Sequence, residues 1–367
     1  MVKLALIGIG KMGLSHHAIV NSHPDAELVA ICDTSGYVLE VIHKYAGTRI
    51  YSDYKTMLDT EQLDGVLIAT PSKVHGWMVE MALERGLHVF CEKPFVLDTE
   101  IGQRLVDIAE AKNLVTQVGY HYRFVGAFRE AQRVVASGAL GQLHHITAEA
   151  YGPVVLKPKG GTWRTEKNEG GGCLYDYASH AIDLVNFMVG VPESVSGVVM
   201  NRIYSLDVED EVYCSMHFGS GLSGRLSANW SDESFRKMST KITVWGTNGR
   251  VTADRQECQI FLREAHAKLP DTKPGWTVRF TTELTEEVWY YLRGEEYSAQ
   301  IDHFVKAVKD RRPGGTNNFR SALATDRVAR MIADANAGIV AAQPERATTT
   351  ATANAVERKS FWQRLFG

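Results

Sequence analysis

The 367-residue chain has only five cysteines, Cys32, Cys91, Cys173, Cys214 and Cys258, an odd number with no Cys-x-x-Cys pair. That pattern excludes a disulfide framework and a cysteine zinc site, and reads as reduced thiols. Runs of about eighteen uncharged apolar residues are missing, so no membrane span is expected. No signal-peptide pattern precedes the first strand, and a cytoplasmic location is the expectation. An excess of basic charge is missing as well: the formal net charge is -3, which gives no electrostatic reason to expect nucleic acid. The thirteen histidines include His16-His17 and His144-His145. Sequence neighbours point in different directions on a helix or strand, so neither pair predicts a metal site.

What is present begins at the N-terminus. Val2 to Gly8 is an apolar strand running into Gly8-Ile9-Gly10-Lys11-Met12-Gly13, then a helical segment, with Asp33 twenty residues beyond Gly13. Each position has a physical task. Gly8 permits a tight strand-to-helix turn, Gly10 lets backbone approach a pyrophosphate, and Gly13 allows the helix to pack on the strand. The helix N-terminus, with Lys11 and Met12, then faces the phosphates with unpaired N–H groups and partial positive charge. Asp33 ends a second apolar stretch, where a carboxylate can accept from ribose hydroxyls and would repel a 2'-phosphate. NAD is therefore expected over NADP.

The hydrophobic content of 44% and the length allow two domains with sizeable cores. Up to about Val118 the pattern alternates strand and helix, as in a parallel sheet covered on both faces. The spacing predicts strands near Val2 to Ile7, Glu27 to Cys32, Gly65 to Ala69, His88 to Cys91 and Val115 to Gln117. Beyond Gly138 and Gly141, longer alternating segments predict an antiparallel sheet, with Asn248-Gly249 marking a hairpin. Helices are expected near Tyr177 to Val189, Glu296 to Lys309 and Ser321 to Ala335. The reading is an α/β chain: a dinucleotide-binding domain over 1–120, a second domain over 121–340 and a flexible tail over 341–367. Helix 321–337 is expected to pack back on the first domain. The tail closes with Arg358-Lys359-Ser360-Phe361-Trp362-Gln363-Arg364-Leu365-Phe366, a basic segment read as disordered, packed on its own protein or a neighbouring subunit, or a weak membrane-surface or partner-docking peptide.

Two further constellations carry chemistry. Cys91-Glu92-Lys93-Pro94 falls at the end of the fourth expected strand, where ligands of open α/β sheets bind. An ammonium from Lys93 there can stabilise charge developing on a substrate oxygen, and Pro94 restricts where Lys93 points. Asp176-x-x-x-His180 follows Gly170-Gly171-Gly172. Its i, i+4 spacing puts carboxylate and imidazole on one helical face, where the acid can orient the base that takes a hydroxyl proton. Asp183 continues that face, as a pocket group or a solvated acid.

Ala69-Thr70-Pro71 with His75, then Glu92-Lys93-Pro94, then Asp176 and His180 before Ile182-Asp183-Leu184 match in order the motifs of the glucose-fructose oxidoreductase and inositol dehydrogenase family. The chain resembles that family over about Met1 to Ala337. The resemblance implies an N-terminal Rossmann domain and a C-terminal α/β domain whose mainly antiparallel sheet covers the nicotinamide site. It also implies a homodimer or homotetramer assembled through the open sheet face. Lys93, Asp176 and His180 become the catalytic set, with His180 as acid/base, Lys93 polarising the oxygen and Asp176 supporting His180 and binding substrate. Thr70, Pro71, His75 and Glu92 fall around the ribose and nicotinamide half of the cofactor. Tyr120, Tyr122 and Arg123, with Trp163 and Arg164, are either substrate contacts or packing and loop residues. Lys157, Lys159, Lys167 and Arg164 add positive charge near the cleft, diluted by Glu166 and Glu169.

The expected activity is hydride transfer between NAD and a secondary alcohol or ketone of a sugar, cyclitol or sugar derivative, including nucleotide-linked sugars. A redox-neutral glycosidase or lyase retaining NAD is the alternative within chemistry. A non-catalytic dinucleotide sensor is the alternative outside it, and the joint presence of Lys93, Asp176 and His180 counts against it.

Overall fold

A computed structural model describes residues 1–154, 163–219 and 221–338. The apolar hexapeptide Val2–Ile7 (β1) buries five of its six residues, as a parallel strand covered on both faces must. With Ala26–Cys32 (β2), Arg49–Tyr51 (β3), Gly65–Ile68 (β4), His88–Cys91 (β5) and Thr116–Val118 (β6) it forms a parallel sheet in the order β3-β2-β1-β4-β5-β6. The order reverses between β1 and β4. That opens a crevice at the carboxyl ends of the strands, the position where α/β sheets take ligands.

The connecting helices are Lys11–Asn21 (α1), Gly36–Ala46 (α2), Tyr54–Thr60 (α3), His75–Glu84 (α4) and Thr99–Ala111 (α5). The short elements β3 and α3 are additions to the expected pattern. Three and seven residues are too few to display a period, although Asp53 caps α3 by accepting from Thr56 N at 2.7 Å. Asp98 likewise caps α5 through Glu100 N at 2.9 Å.

Past the helix Gly126–Ser137 (α6), which ends at left-handed Gly138, the second sheet has eight strands. They are Leu143–Tyr151 (β7), Ser194–Asn201 (β8), Glu211–His217 (β9), Ser223–Asn229 (β10), Ser239–Gly246 (β11), Gly249–Ala253 (β12), Glu257–Leu262 (β13) and Gly275–Phe280 (β14). Their order is β14-β13-β12-β11-β7-β10-β9-β8. The antiparallel expectation has one exception, the parallel pair β7–β10 at the middle of the sheet. Gly246 pairs with Gly249, so the hairpin loop is Thr247-Asn248, one residue earlier than the Asn248-Gly249 reading. One face of the sheet, with Ile146, Ala148, Leu226, Ile242 and Val244, packs on α6 and on Ser179–Val189 (α7) around Trp230. Among the described residues, the side chains that β7, β9, β12 and β13 turn to the other face are half-buried or exposed.

After the single-turn helix Thr281–Leu284 (α8), two helices return to the first sheet. Glu295–Lys309 (α9) lays Tyr297, Ile301, Phe304 and Val308 against Leu4, Leu6 and Phe90. Phe319–Asn336 (α10) covers the opposite face: Phe319 stacks on Phe95 at 4.1 Å between centroids, and Leu323 joins the core of α4 and α5. Among the described residues no helix is long and apolar enough to cross a membrane. The tail readings and those on Lys157 and Lys159 lie outside the described residues.

Candidate active site

The glycine loop explains itself by what a side chain would meet. Gly8 has φ +89°, and a Cβ there would come 2.7 Å from Ala69 O. A Cβ on Gly13 would come 1.9 Å from Gly8 O, while one on Gly10 would meet nothing within 4 Å. Gly8 and Gly13 therefore close the β1–α1 turn, and Gly10 leaves bare backbone facing open space. Lys11 and Met12 begin α1, whose N-cap, Gly10, brings no capping side chain. The half-buried Asp33 carboxylate is held at the loop, accepting from Ile9 N at 2.6 Å and Ser35 N at 2.8 Å. Each oxygen keeps capacity for a further hydrogen bond. Uncapped helix, bare Gly10 and acceptor Asp33 fit a pyrophosphate and an adenosine ribose.

Across the crevice stands Lys93, after β5, with a cis peptide to Pro94. Its Nζ donates to Asp176 Oδ1 at 2.8 Å and to Asp176 O at 3.0 Å. Asp176 Oδ2 accepts from Arg164 Nε at 2.9 Å, and the Arg164 guanidinium lies over the Trp163 ring, 4.7 Å from its centroid. Burial pushes the Asp176 acid up, but the two cations outweigh it and hold it down to about 2. One carboxylate thus fixes two positive side chains.

The expectation that Asp176 supports His180 is corrected here. The Asp176 oxygens bond Lys93 and Arg164, not His180. Leu174–Ala178 is a π-turn, in which Ser179 N–H donates to Leu174 O. The wider turn takes residues four apart out of alignment. His180 is buried, 5.1 Å between ring centroids from both His121 and Tyr122 and 5.9 Å from Tyr120. Among the described residues its Nδ1 has no hydrogen-bond partner. Burial, together with the positive charges of Lys93 and Arg255, holds its pKa well below the ordinary range. The result is a neutral imidazole beside a lysine.

Other expected site residues fall differently. Thr70 and exposed Pro71 lie in the loop after β4. His75 does not face the crevice: it is fully buried, with Nδ1 2.9 Å from Pro94 O and Nε2 3.0 Å from Thr70 O. It ties two strand-end loops together. Arg123 is likewise removed from substrate contact, because Nε and Nη2 form a bidentate pair with Asp183 at 2.8 and 2.6 Å. Asp183 is accordingly neither a pocket group nor a solvated acid. Tyr120 and Tyr122 are buried and reach the site only as walls around His180. Glu92 is buried against His16.

The sequence comparisons agree with this architecture. Residues 2–120 match the model of an oxidoreductase family with an NAD-binding Rossmann fold, and residues 128–252 match the GFO/IDH/MocA C-terminal domain. D-glucoside 3-dehydrogenase of Escherichia coli is 30% identical over 238 residues, covering 60% of this chain and 68% of that protein. The chain belongs to the GFO/IDH/MocA oxidoreductase family.

Scyllo-inositol 2-dehydrogenase (NAD(+)) of Bacillus subtilis is 25% identical over 317 residues, 84% of this chain and 86% of that protein. An uncharacterized oxidoreductase of Schizosaccharomyces pombe, 29% identical, is matched over only 60% of its length. Levoglucosan dehydrogenase, solved with NADH and levoglucosan, shares the fold with a TM-score of 0.79 at 23% identity, covering 92% of this chain and 98% of that one.

In this member of the GFO/IDH/MocA family, one wall of the site had no signal in the sequence motifs. His121 stacks on Tyr297 of α9 at 4.5 Å, and Arg255, from the β12–β13 turn, pairs with Glu296 and lies 5.9 Å from the Tyr122 ring centroid. Burial and Arg255 bring the His121 imidazole down to about 3. Behind them, burial raises the Asp326 carboxyl to about 8, although it accepts from Val96 N at 3.0 Å. These residues come from separate elements, so only the fold assembles them. Among the described residues no three His, Cys, Asp or Glu side chains are placed to hold a metal ion.

Proposed function

We propose that the chain moves a hydride between the nicotinamide of NAD and a secondary alcohol or ketone of a sugar, cyclitol or sugar derivative. The observation that carries this reading is the Lys93–Asp176–Arg164 ion triad beside buried, neutral His180 at the carboxyl edge of the parallel sheet. Bound nicotinamide supplies the hydride acceptor or donor. His180 takes the hydroxyl proton, and Lys93 stabilises the negative charge on the reacting oxygen. Asp176 and Arg164 hold Lys93 in place. Thr70, Pro71 and Glu92 fall on the nicotinamide side, and Trp163 and Arg164 face the substrate. The names of the glucoside and inositol relatives support a sugar or cyclitol as substrate.

Further support bears on assembly and location. Trp276, Val278 and Phe280 are exposed along β14, as is Val199 on β8, which favours a homo-oligomer joined at the second sheet. Light scattering of the purified chain tests that. All five thiols are buried and free, which suits the reducing cytoplasm.

The activity test follows reduced-nicotinamide absorbance while the protein, given NAD or NADP, is screened against sugars, cyclitols and sugar nucleotides. Turnover with NAD, lost in Lys93→Ala and His180→Ala, is the expected result. Tight NAD retention without net reduction on any substrate would transfer the reading to redox-neutral chemistry or to sensing.

A further inference from the structure

A histidine that works as a base is ordinarily oriented by a hydrogen bond on its second ring nitrogen. His180 lacks one: among the described residues its Nδ1 is buried without a partner. The carboxylate expected for the task, Asp176, is spent on Lys93 and Arg164. The imidazole turns about a terminal torsion whose wells are broad, so its direction must be set by what packs against it.

What packs against it is aromatic. His121, in the turn after β6, meets the ring edge to face, 5.1 Å between centroids at an interplanar angle of 69°. Tyr122 is tilted against it by 56° at 5.1 Å, and Tyr120 stands across it at 89° and 5.9 Å. Contacts of this kind are directional. His121 differs from the two tyrosines in being clamped from behind. It stacks on Tyr297 of α9, 4.5 Å between centroids and 20° from parallel, with its Nε2 3.4 Å from the Tyr297 hydroxyl oxygen. Both rings are buried, and burial keeps His121 uncharged. Beyond burial, the charged side chains acting on His180 are Lys93, after β5, and Arg255, from the β12–β13 turn, both cations. The wall that orients the ring thus brings no negative charge to favour the imidazolium.

We propose that His121, braced by Tyr297, is the positioning residue for His180: a ring packed against the base does the orienting that a carboxylate hydrogen bond would otherwise do, without a negative charge. The inference rests on the reading of His180 as the base, and it ties that base to α9.

The test compares wild type with His121→Ala, His121→Phe and Tyr297→Ala on the full chain. The first readout is NMR of the His180 ring protons, assigned by their loss in His180→Gln. In wild type and His121→Phe the signals stay those of a neutral ring as pH falls through the ordinary histidine range. In the two alanine variants the ring gains water and freedom, and its titration moves up toward about 6.5. The second readout is turnover of a sugar or cyclitol. In both alanine variants kcat falls by about tenfold to a hundredfold with KM within about twofold, the size expected for a reacting group displaced by about 1 Å, and His121→Phe restores it. Circular dichroism checks each variant for folding, and His121→Leu, which fills the space without an aromatic face, replaces any alanine variant that is not folded. Unchanged His180 signals and unchanged kcat in a folded alanine or leucine variant overturn the proposal and leave His121 a packing residue. So does a His121→Phe variant as impaired as His121→Ala, which would assign the effect to the His121 nitrogens instead of its ring. A wild-type chain that turns over no sugar or cyclitol overturns the activity reading, and the NMR comparison then decides this inference alone.

Discussion

Replacing Arg123 by methionine separates a structural arginine from a substrate-binding one. In the native fold its guanidinium meets Asp183 through two hydrogen bonds, with side-chain exposures of 7% and 1%, and lies 5.1 Å from the Phe187 ring centroid. Methionine fills most of the volume and removes the charge, leaving Asp183 with one long bond, from Thr325 Oγ1 at 3.3 Å. Breaking a buried pair from one side costs about 3–5 kcal/mol, a shift in melting temperature on the order of 10 °C. The loss depends on pH. Burial already holds the Asp183 acid above its ordinary value, against the pull of Arg123, and without the arginine it rises further. A carboxyl whose folded pKa exceeds its unfolded value binds more protons when folded. Stability therefore falls as pH climbs from about 4 toward the folded pKa, by up to about 1.4 kcal/mol per unit. Urea denaturation should show a larger deficit at about pH 7 than at about pH 5, and Arg123→Met with Asp183→Leu should recover most of it. If Arg123→Met keeps its stability within about 1 kcal/mol and instead raises the Michaelis constant for substrate, the structural assignment is wrong.

Three other perturbations have defined outcomes. Gly13→Ala drives a Cβ to within 1.9 Å of Gly8 O, a backbone atom that cannot yield, so equilibrium dialysis should find NAD affinity down at least about tenfold even where the chain folds. Arg255→Gln removes a cation that helps keep His180 unprotonated. The acid limb of the kcat/KM profile, set by protonation of the base, should move to higher pH, and an unmoved limb would take Arg255 out of the site's electrostatics. Asp33→Ser removes the carboxylate that repels a 2'-phosphate. The preference for NAD over NADP in kcat/KM should fall by about tenfold or more, and an unaltered preference would place the discrimination elsewhere.

The first sheet was legible because its strands are apolar runs bounded by glycine and acidic punctuation, as in Val2–Ile7 followed by Gly8. Lys93 was legible because it follows such a run directly. Strands β13 and β14 were passed over: in β13 the alternation of Cys258, Ile260 and Leu262 is blurred by apolar Phe261, and in β14 that of Trp276, Val278 and Phe280 spans only six residues. The partners of Asp176 and Arg123 were not legible at all. A π-turn has no signature in hydrophobic spacing, and Arg123 and Asp183 lie 60 positions apart. An apolar stripe on α9 signalled burial without saying what would cover it. His121, Tyr297 and Arg255 became site neighbours only through that packing.

Helices α9 and α10 are the last described elements of the chain, yet they cover opposite faces of its first sheet. During synthesis Leu4, Leu6 and Phe90 have no partner from α9 until residues near 300 have left the ribosome. The nucleotide-binding half is therefore not a transferable module that ends near residue 120. A fragment cut there would bare a strip of apolar sheet on each side, and any graft of this half onto another protein would have to carry both closing helices with it.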